Sequence, residues 1–172
     1  MSSAIIERLL ITDKDKESLS QIAYDATETS DDFFNYSKVV VKKPWGYEYL
    51  IFENESVAVW ILYLKNGALT SMHCHPQKKT SLILLSGNAL CNTFEKRNYL
   101  NAMDAIILEK TVFHSTKAIS SEGIDVIEIE TPPDKTDLVR LNDEYGRQKQ
   151  GYEGLTEMRS NNLNEFNYFY FD

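Results

Sequence analysis

Histidine is scarce in this chain: there are three in 172 residues, at positions 73, 75 and 114. Cysteine is scarcer, with only Cys74 and Cys91. Two cysteines without a C-x-x-C spacing make no disulfide framework, and they read as two reduced thiols. Basic residues are in deficit. The 18 Lys and Arg stand against 26 Asp and Glu, a formal net charge of −8. A nucleic-acid polymer is therefore excluded as the main partner, because its binder needs a basic face. A local basic pocket is not excluded. No run approaches the ~20 apolar residues that span a bilayer. The stretch AIIERLLI near the start is too short and too charged for a secretory leader. The expectation is a cytoplasmic protein with no membrane partner. Gly-rich phosphate loops and G-x-S-x-G nucleophile turns are also missing, as are internal repeats and low-complexity linkers.

The 42% hydrophobic residues make a folded chain, and the length suits one domain with a single core. Residues 1–36 read as a helical or irregular extension. AIIERLLI and KESLSQIAYDATE both carry apolar residues at roughly helical spacing. From residue 37 the pattern changes. SKVVVKK, GYEYLIFE, SVAVWILYLK, TSLILLSG, NALCNTF, DAIILEK and GIDVIEIE are short and rich in β-branched and aromatic residues. Many such strands at regular spacing predict an all-β sandwich or barrel over residues 37–145. The buried face of GIDVIEIE stays open, because its acidic and apolar residues alternate imperfectly. DLVRLNDEYGRQKQGYEG reads as a short helix followed by turns. Residues 146–172 form a tail ending in FNYFYFD. Aromatics clustered this way are expected to pack on the barrel or on a partner subunit. That tail, with the strand edges an open barrel must cover, predicts a homodimer.

The chemistry concentrates in MHCHPQKKTSLILLSG, residues 72–87. On a strand, residues i and i+2 face the same way. His73 and His75 then converge, and Cys74 points to the other side. Two neutral imidazoles from one strand suit a divalent metal. His114 is the remaining histidine that can close the triangle.

The spacing Gly67, five residues, His73-x-His75, four residues, Thr80, six residues, Gly87 resembles the first motif of the cupin superfamily. That motif carries an acidic ligand where this chain has Thr80. The segment DAIILEKTVFHSTKA resembles the second motif, with His114 at its histidine position. Glu109 and Thr111 stand at its Pro and Gly positions. KKPWGYEYLIF, with Lys43, Pro44, Trp45, Gly46, Tyr47 and Glu48, is similar to a segment of the phosphomannose-isomerase-type cupins. In their first motif His75 matches a histidine and Lys78 a basic residue, while His73 takes a position held by Gln.

The resemblance implies a double-stranded β-helix, or jelly-roll, barrel with a short N-terminal helical segment. It implies one divalent metal (Zn, Fe, Ni or Mn) on His73, His75 and His114. It also implies a phosphorylated or nucleotide-linked sugar as partner and an isomerase or epimerase of surface-polysaccharide synthesis. Within that setting Lys78 would face the anionic group and take part in catalysis. Glu48 is the candidate general base. Trp45 and Tyr47 are candidate substrate contacts. Two alternatives stay open: a non-catalytic sugar-binding cupin, and a three-histidine non-haem iron dioxygenase.

Overall fold

The computed structural model describes residues 4–22 and 35–147, together with the backbone of residues 168–170. Its elements in chain order are β1 (Ile6–Leu9), α1 (Asp13–Gln21), β2 (Val39–Lys43), β3 (Gly46–Glu53), β4 (Ala58–Leu64), β5 (Met72–Cys74) and β6 (Lys79–Ser86). They continue with β7 (Asn88–Asn92), β8 (Arg97–Asn101), β9 (Ala105–Leu108), β10 (Ser115–Ala118), β11 (Ile124–Thr131), β12 (Val139–Asn142) and β13 (Tyr168–Tyr170). All seven segments predicted as strands are strands. Strands β2, β4, β7, β9 and β11, and most of β6, alternate buried and more exposed positions, as one buried face requires; β3 does so only over its first residues.

Eight strands form one sheet in the order β1-β9-β6-β11-β4-β3-β2-β13, antiparallel except where β1 runs parallel to β9. The facing layer holds β10-β7-β8 and β12-β5. These two pieces are joined by backbone bridges between Leu69 and Lys117 and between His73 and His114. Both layers contribute to one core. Val39, Trp60, Leu64, Leu84, Ile106 and Ile124 come from the large sheet, and Ala89, Cys91, Leu100 and Ala118 from the facing one. Trp60 is the largest fully buried side chain, and removing ~200 Å² of it from water contributes up to about 5 kcal/mol. This closed pair of layers is the jelly roll expected from the sequence.

A second small cluster of Cys74, Phe113 and Val139 packs beneath α1, with Leu19 and Ile22 against it. Helix α1 begins at a capping box in which Thr12 and Asp15 satisfy each other's backbone N–H groups. The other oxygen of Asp15 accepts the Phe113 N–H at 2.9 Å. The helix cap is thereby tied to the residue before His114.

Two expectations are corrected. AIIERLLI does not form a helix: residues 6–9 are β1, because the edge of β9 offers backbone partners that helical spacing cannot foresee. DLVRLN does not form a helix either. It supplies β12, which pairs with β5. In both cases tertiary pairing overrides local preference. Most of the expected aromatic tail lies outside the described residues, but the backbone of Tyr168–Tyr170 pairs with β2. Both cysteines are free and buried. Among the described residues no helix is long and apolar enough to cross a membrane.

Candidate metal centre

Strand β5 is only three residues long; His73 lies within it and His75 directly after it, and the two rings turn toward each other. Cys74 goes to the opposite side, into the cluster under α1. His114 lies just before β10. It is brought opposite His73 by a reciprocal backbone pair: His73 N–H donates to the His114 carbonyl at 3.0 Å, and His114 N–H to the His73 carbonyl at 2.8 Å. The three ring centroids lie 4.3, 4.9 and 5.5 Å apart. One nitrogen from each ring falls within 4.8 Å of the others.

The opposite nitrogen of each ring is held by the backbone. Nδ1 of His73 lies 2.8 Å from the Ser71 carbonyl, that of His75 2.6 Å from the Asp137 carbonyl, and that of His114 3.0 Å from the Val112 carbonyl. A carbonyl can only accept, so each Nδ1 carries the proton and donates it. Each Nε2 is therefore left as a lone pair. That of His75 is buried with no hydrogen-bond partner. Three fixed imidazole lone pairs around one point, one of them orphaned, fit a divalent metal.

Burial keeps these rings neutral. It pulls His73 and His75 well below the ordinary value, with further lowering by His114 beside His73 and by Lys78 beside His75. It also lowers His114 to about 4. Neutral imidazole is the form that binds metal.

The turn that delivers His114 holds Thr111 at φ 69°. This is the position where the second cupin motif has Gly. The left-handed region is costly for a β-branched residue. Thr111 is kept there by its N–H bond to the His75 carbonyl, 2.9 Å. That bond ties the third ligand to the second.

The histidines share a cavity with Lys43, Trp45, Glu48, Lys78, Glu128, Glu130, Lys135, Arg140 and Arg147. Five cations thus line it against three carboxylates, and Asp143, behind the wall, holds Arg147 at 2.7 Å. Strand β11 faces Glu128 and Glu130 inward, on the parity of Val126. This settles the open face of GIDVIEIE. Lys135 lies 2.8 Å from Glu130, 3.3 Å from Glu128 and 3.5 Å from Glu48. Its ammonium also sits 3.9 Å from the Trp60 ring centre, a contact worth about 2 kcal/mol when desolvated. Burial pulls the Lys135 ammonium down, but the three carboxylates outweigh it and the group is raised. Burial likewise pushes Glu130 up, and Lys135 and Lys78 together bring it below the ordinary carboxylate range. Lys43, 3.5 Å from Glu48, is lowered to about 7 by burial.

Lys78, expected to face an anionic group, is buried and paired with Glu130 at 2.8 Å and with the Asp134 carbonyl at 2.7 Å. Glu48 lines the cavity as a buried carboxylate. Trp45 lines it too, but Tyr47 faces outward, stacked on Tyr49 and Tyr63. Thr80 is buried on the parity of Lys78 and Leu82, opposite Glu130. Sequence reading missed Glu128, Glu130, Lys135 and Arg140. Strand parity could have found the two glutamates. Nothing local marks Lys135 or Arg140.

Two outcomes are expected here. Thr111→Gly should stabilise the protein by roughly 0.5–1 kcal/mol in urea unfolding, relief of the left-handed strain less the added chain entropy of glycine. Metal should stay bound at pH 6 and leave as the pH approaches about 4, where His114 protonates. The metal-free protein follows the same direction. The unfolded chain takes up protons below about pH 6.5 while the folded one does not, so the stability present above 6.5 is lost toward 4. Metal content and unfolding measured from pH 7 to 4 check both, and release already complete at pH 6 would contradict the neutral, buried triad.

No protein-family model matches the sequence, and no curated protein matches it. Solved structures do. A double-stranded β-helix protein from Klebsiella pneumoniae subsp. pneumoniae is 16% identical, with TM-score 0.54 over 67% of this chain and 100% of its own. The Staphylococcus aureus capsular polysaccharide assembling protein CapF is 13% identical, with TM-score 0.54 over 69% of this chain and 34% of its own. A cupin sugar phosphate isomerase from Silicibacter pomeroyi is 9% identical, with TM-score 0.51 over 63% and 69%. Two facing antiparallel layers, three histidines converging from one end of the facing layer, and these likenesses agree: the chain has the cupin fold.

Proposed function

We propose that the protein binds one divalent metal through His73, His75 and His114 and acts on a phosphorylated or nucleotide-linked sugar, as an isomerase or epimerase in surface-polysaccharide synthesis. The observation that carries this reading is the set of three backbone-fixed Nε2 lone pairs opening into a cavity with a cationic wall. A chain of net charge −8 that gathers five cations around one cavity supports an anionic ligand there. Two structures of the same fold are named as a sugar phosphate isomerase and a capsular polysaccharide assembling protein.

A divalent metal held there would polarise a carbonyl oxygen. The chain's own groups do the rest. Arg140, which lines the cavity beside the Lys78–Glu130 pair, sets a positive potential for the phosphate. Trp45 and the apolar wall of Leu62, Leu82 and Val126 exclude water and cover the sugar ring. Glu48 takes a proton from the carbon beside the carbonyl, and Lys43, near 7, is matched to returning one at neutral pH. The test is deuterium exchange beside the carbonyl, followed by NMR, over a panel of sugar phosphates and nucleotide sugars. Exchange should require metal, and Glu48→Gln should reduce it by about a hundredfold with metal content unchanged. Three histidines on one side would leave open positions on a bound ion for substrate and oxygen, the observation behind one second reading, an iron dioxygenase. Oxygen uptake with iron(II) and no exchange would select it. Saturable sugar binding with neither activity would leave a binding module.

The same reading takes the protein as a cytoplasmic homodimer. Across the outer face of the large sheet, Ala105, Ile83, Ile127, Ile61, Tyr49 and Val40 lie in one register row, all partly exposed. Such an apolar row supports burial against a second copy. Sedimentation should give a dimer at micromolar concentration and a monomer for Ile127→Asp; a wild-type monomer would reject the interface.

A further inference from the structure

The three histidines bring a divalent ion no negative charge, and the position that carries an acid in the resembling motif is Thr80. We propose that Glu130, on the neighbouring strand, supplies the negative charge of the metal site. The inference rests on the metal-binding reading of the histidines and extends it.

Three observations single out Glu130 among the carboxylates of the cavity. It is 1% exposed and lines the same cavity as His73, His75 and His114. In the register of β6 with β11 it is the direct partner of Thr80, so its side chain leaves the sheet beside the threonine and on the same face. Finally, its two oxygens differ. Oε1 takes both Lys78 and Lys135, each at 2.8 Å. Oε2 is buried and has no hydrogen-bond partner among the described residues. Buried carboxylate oxygens are normally satisfied, and an orphan in a polar cavity points to a missing cationic partner. Thr80 Oγ1, set beside Glu130 by the register, and His75 Nε2, which lines the same cavity as Glu130, are also buried without a hydrogen-bond partner among the described residues. Glu128 and Glu48 are the other carboxylates of the wall, and each lies on Lys135. The two lysines on Oε1 fix the Glu130 carboxylate without using its second oxygen. Glu130 is a positioning and charge-compensating residue in this assignment, and the missing acid has moved one strand sideways.

The test is zinc affinity, measured by competition with a chromophoric chelator, on the full chain. Glu130→Gln should weaken zinc by at least about tenfold. That variant also strips Lys78 of its partner, so the double variant Lys78→Gln with Glu130→Gln removes both charges and keeps the packing. The double variant should remain weakened; recovery to wild-type affinity would mean that Glu130 only shields Lys78, and would overturn the proposal. Adding Thr80→Glu to Glu130→Gln should restore affinity by returning the carboxylate to the adjacent strand, and no recovery would overturn it as well. Equal zinc affinity of wild type and Glu130→Gln would overturn this inference while leaving the histidine site standing. No zinc binding by wild type would overturn both.

Discussion

The site depends on one backbone pair, the reciprocal hydrogen bonds between His73 and His114. They join β5 to the segment leading into β10, and so join the two pieces of the facing layer. They also set two histidines 41 positions apart in the chain with rings 4.3 Å apart. Other bonds secure that pair. Thr111 donates to the His75 carbonyl, and the cap residue Asp15 accepts from Phe113. Backbone bonds of this kind contribute only about 1 kcal/mol each, but several acting on one short segment leave the ligands little freedom. A metal site gains from this, because ligands already in place lose little entropy when an ion binds.

The inner cavity combines two environments that are usually kept apart. One side is hydrocarbon, from Leu62, Leu64, Leu82 and Val126. The other carries Lys43, Lys78 and Lys135 against Glu48, Glu128 and Glu130. Taking such groups out of water costs several kcal/mol per ion, and close pairing offsets the cost without a clear gain over apolar residues. A fold needing only stability would use leucines here. Charges retained at that cost, beside three neutral imidazoles, mark the cavity as the candidate functional site. The loop bearing Lys135 makes the cluster possible. The Asp137 carboxylate in that loop accepts the N–H groups of Gln77 and Lys78, and its carbonyl orients His75.

Much of the barrel was legible in the sequence because strand patterns are local. A strand such as AVWILYL shows its buried face in every second residue. The convergence of His73 and His75, with Cys74 turned away, follows from the same period of two. The motif spacing placed His114, and the structure put it opposite His73.

What the sequence alone could not determine depends on which strands are neighbours. Residues 6–9 and 139–142 are strands only because β9 and β5 present edges to them. Lys78 carries a cation in any reading, yet whether it meets a substrate or Glu130 is decided by the register of β6 on β11. Tyr47 and Glu48 are adjacent in the chain and lie on opposite faces of one strand, so only one of them reaches the cavity. The sequence by itself determined the all-β class, the convergence of His73 and His75 and the absence of an acid at position 80, because each is set by local period and spacing. Only the tertiary structure decided which carboxylate stands beside position 80, because Glu130 meets Thr80 across a strand pair that joins residues 50 positions apart.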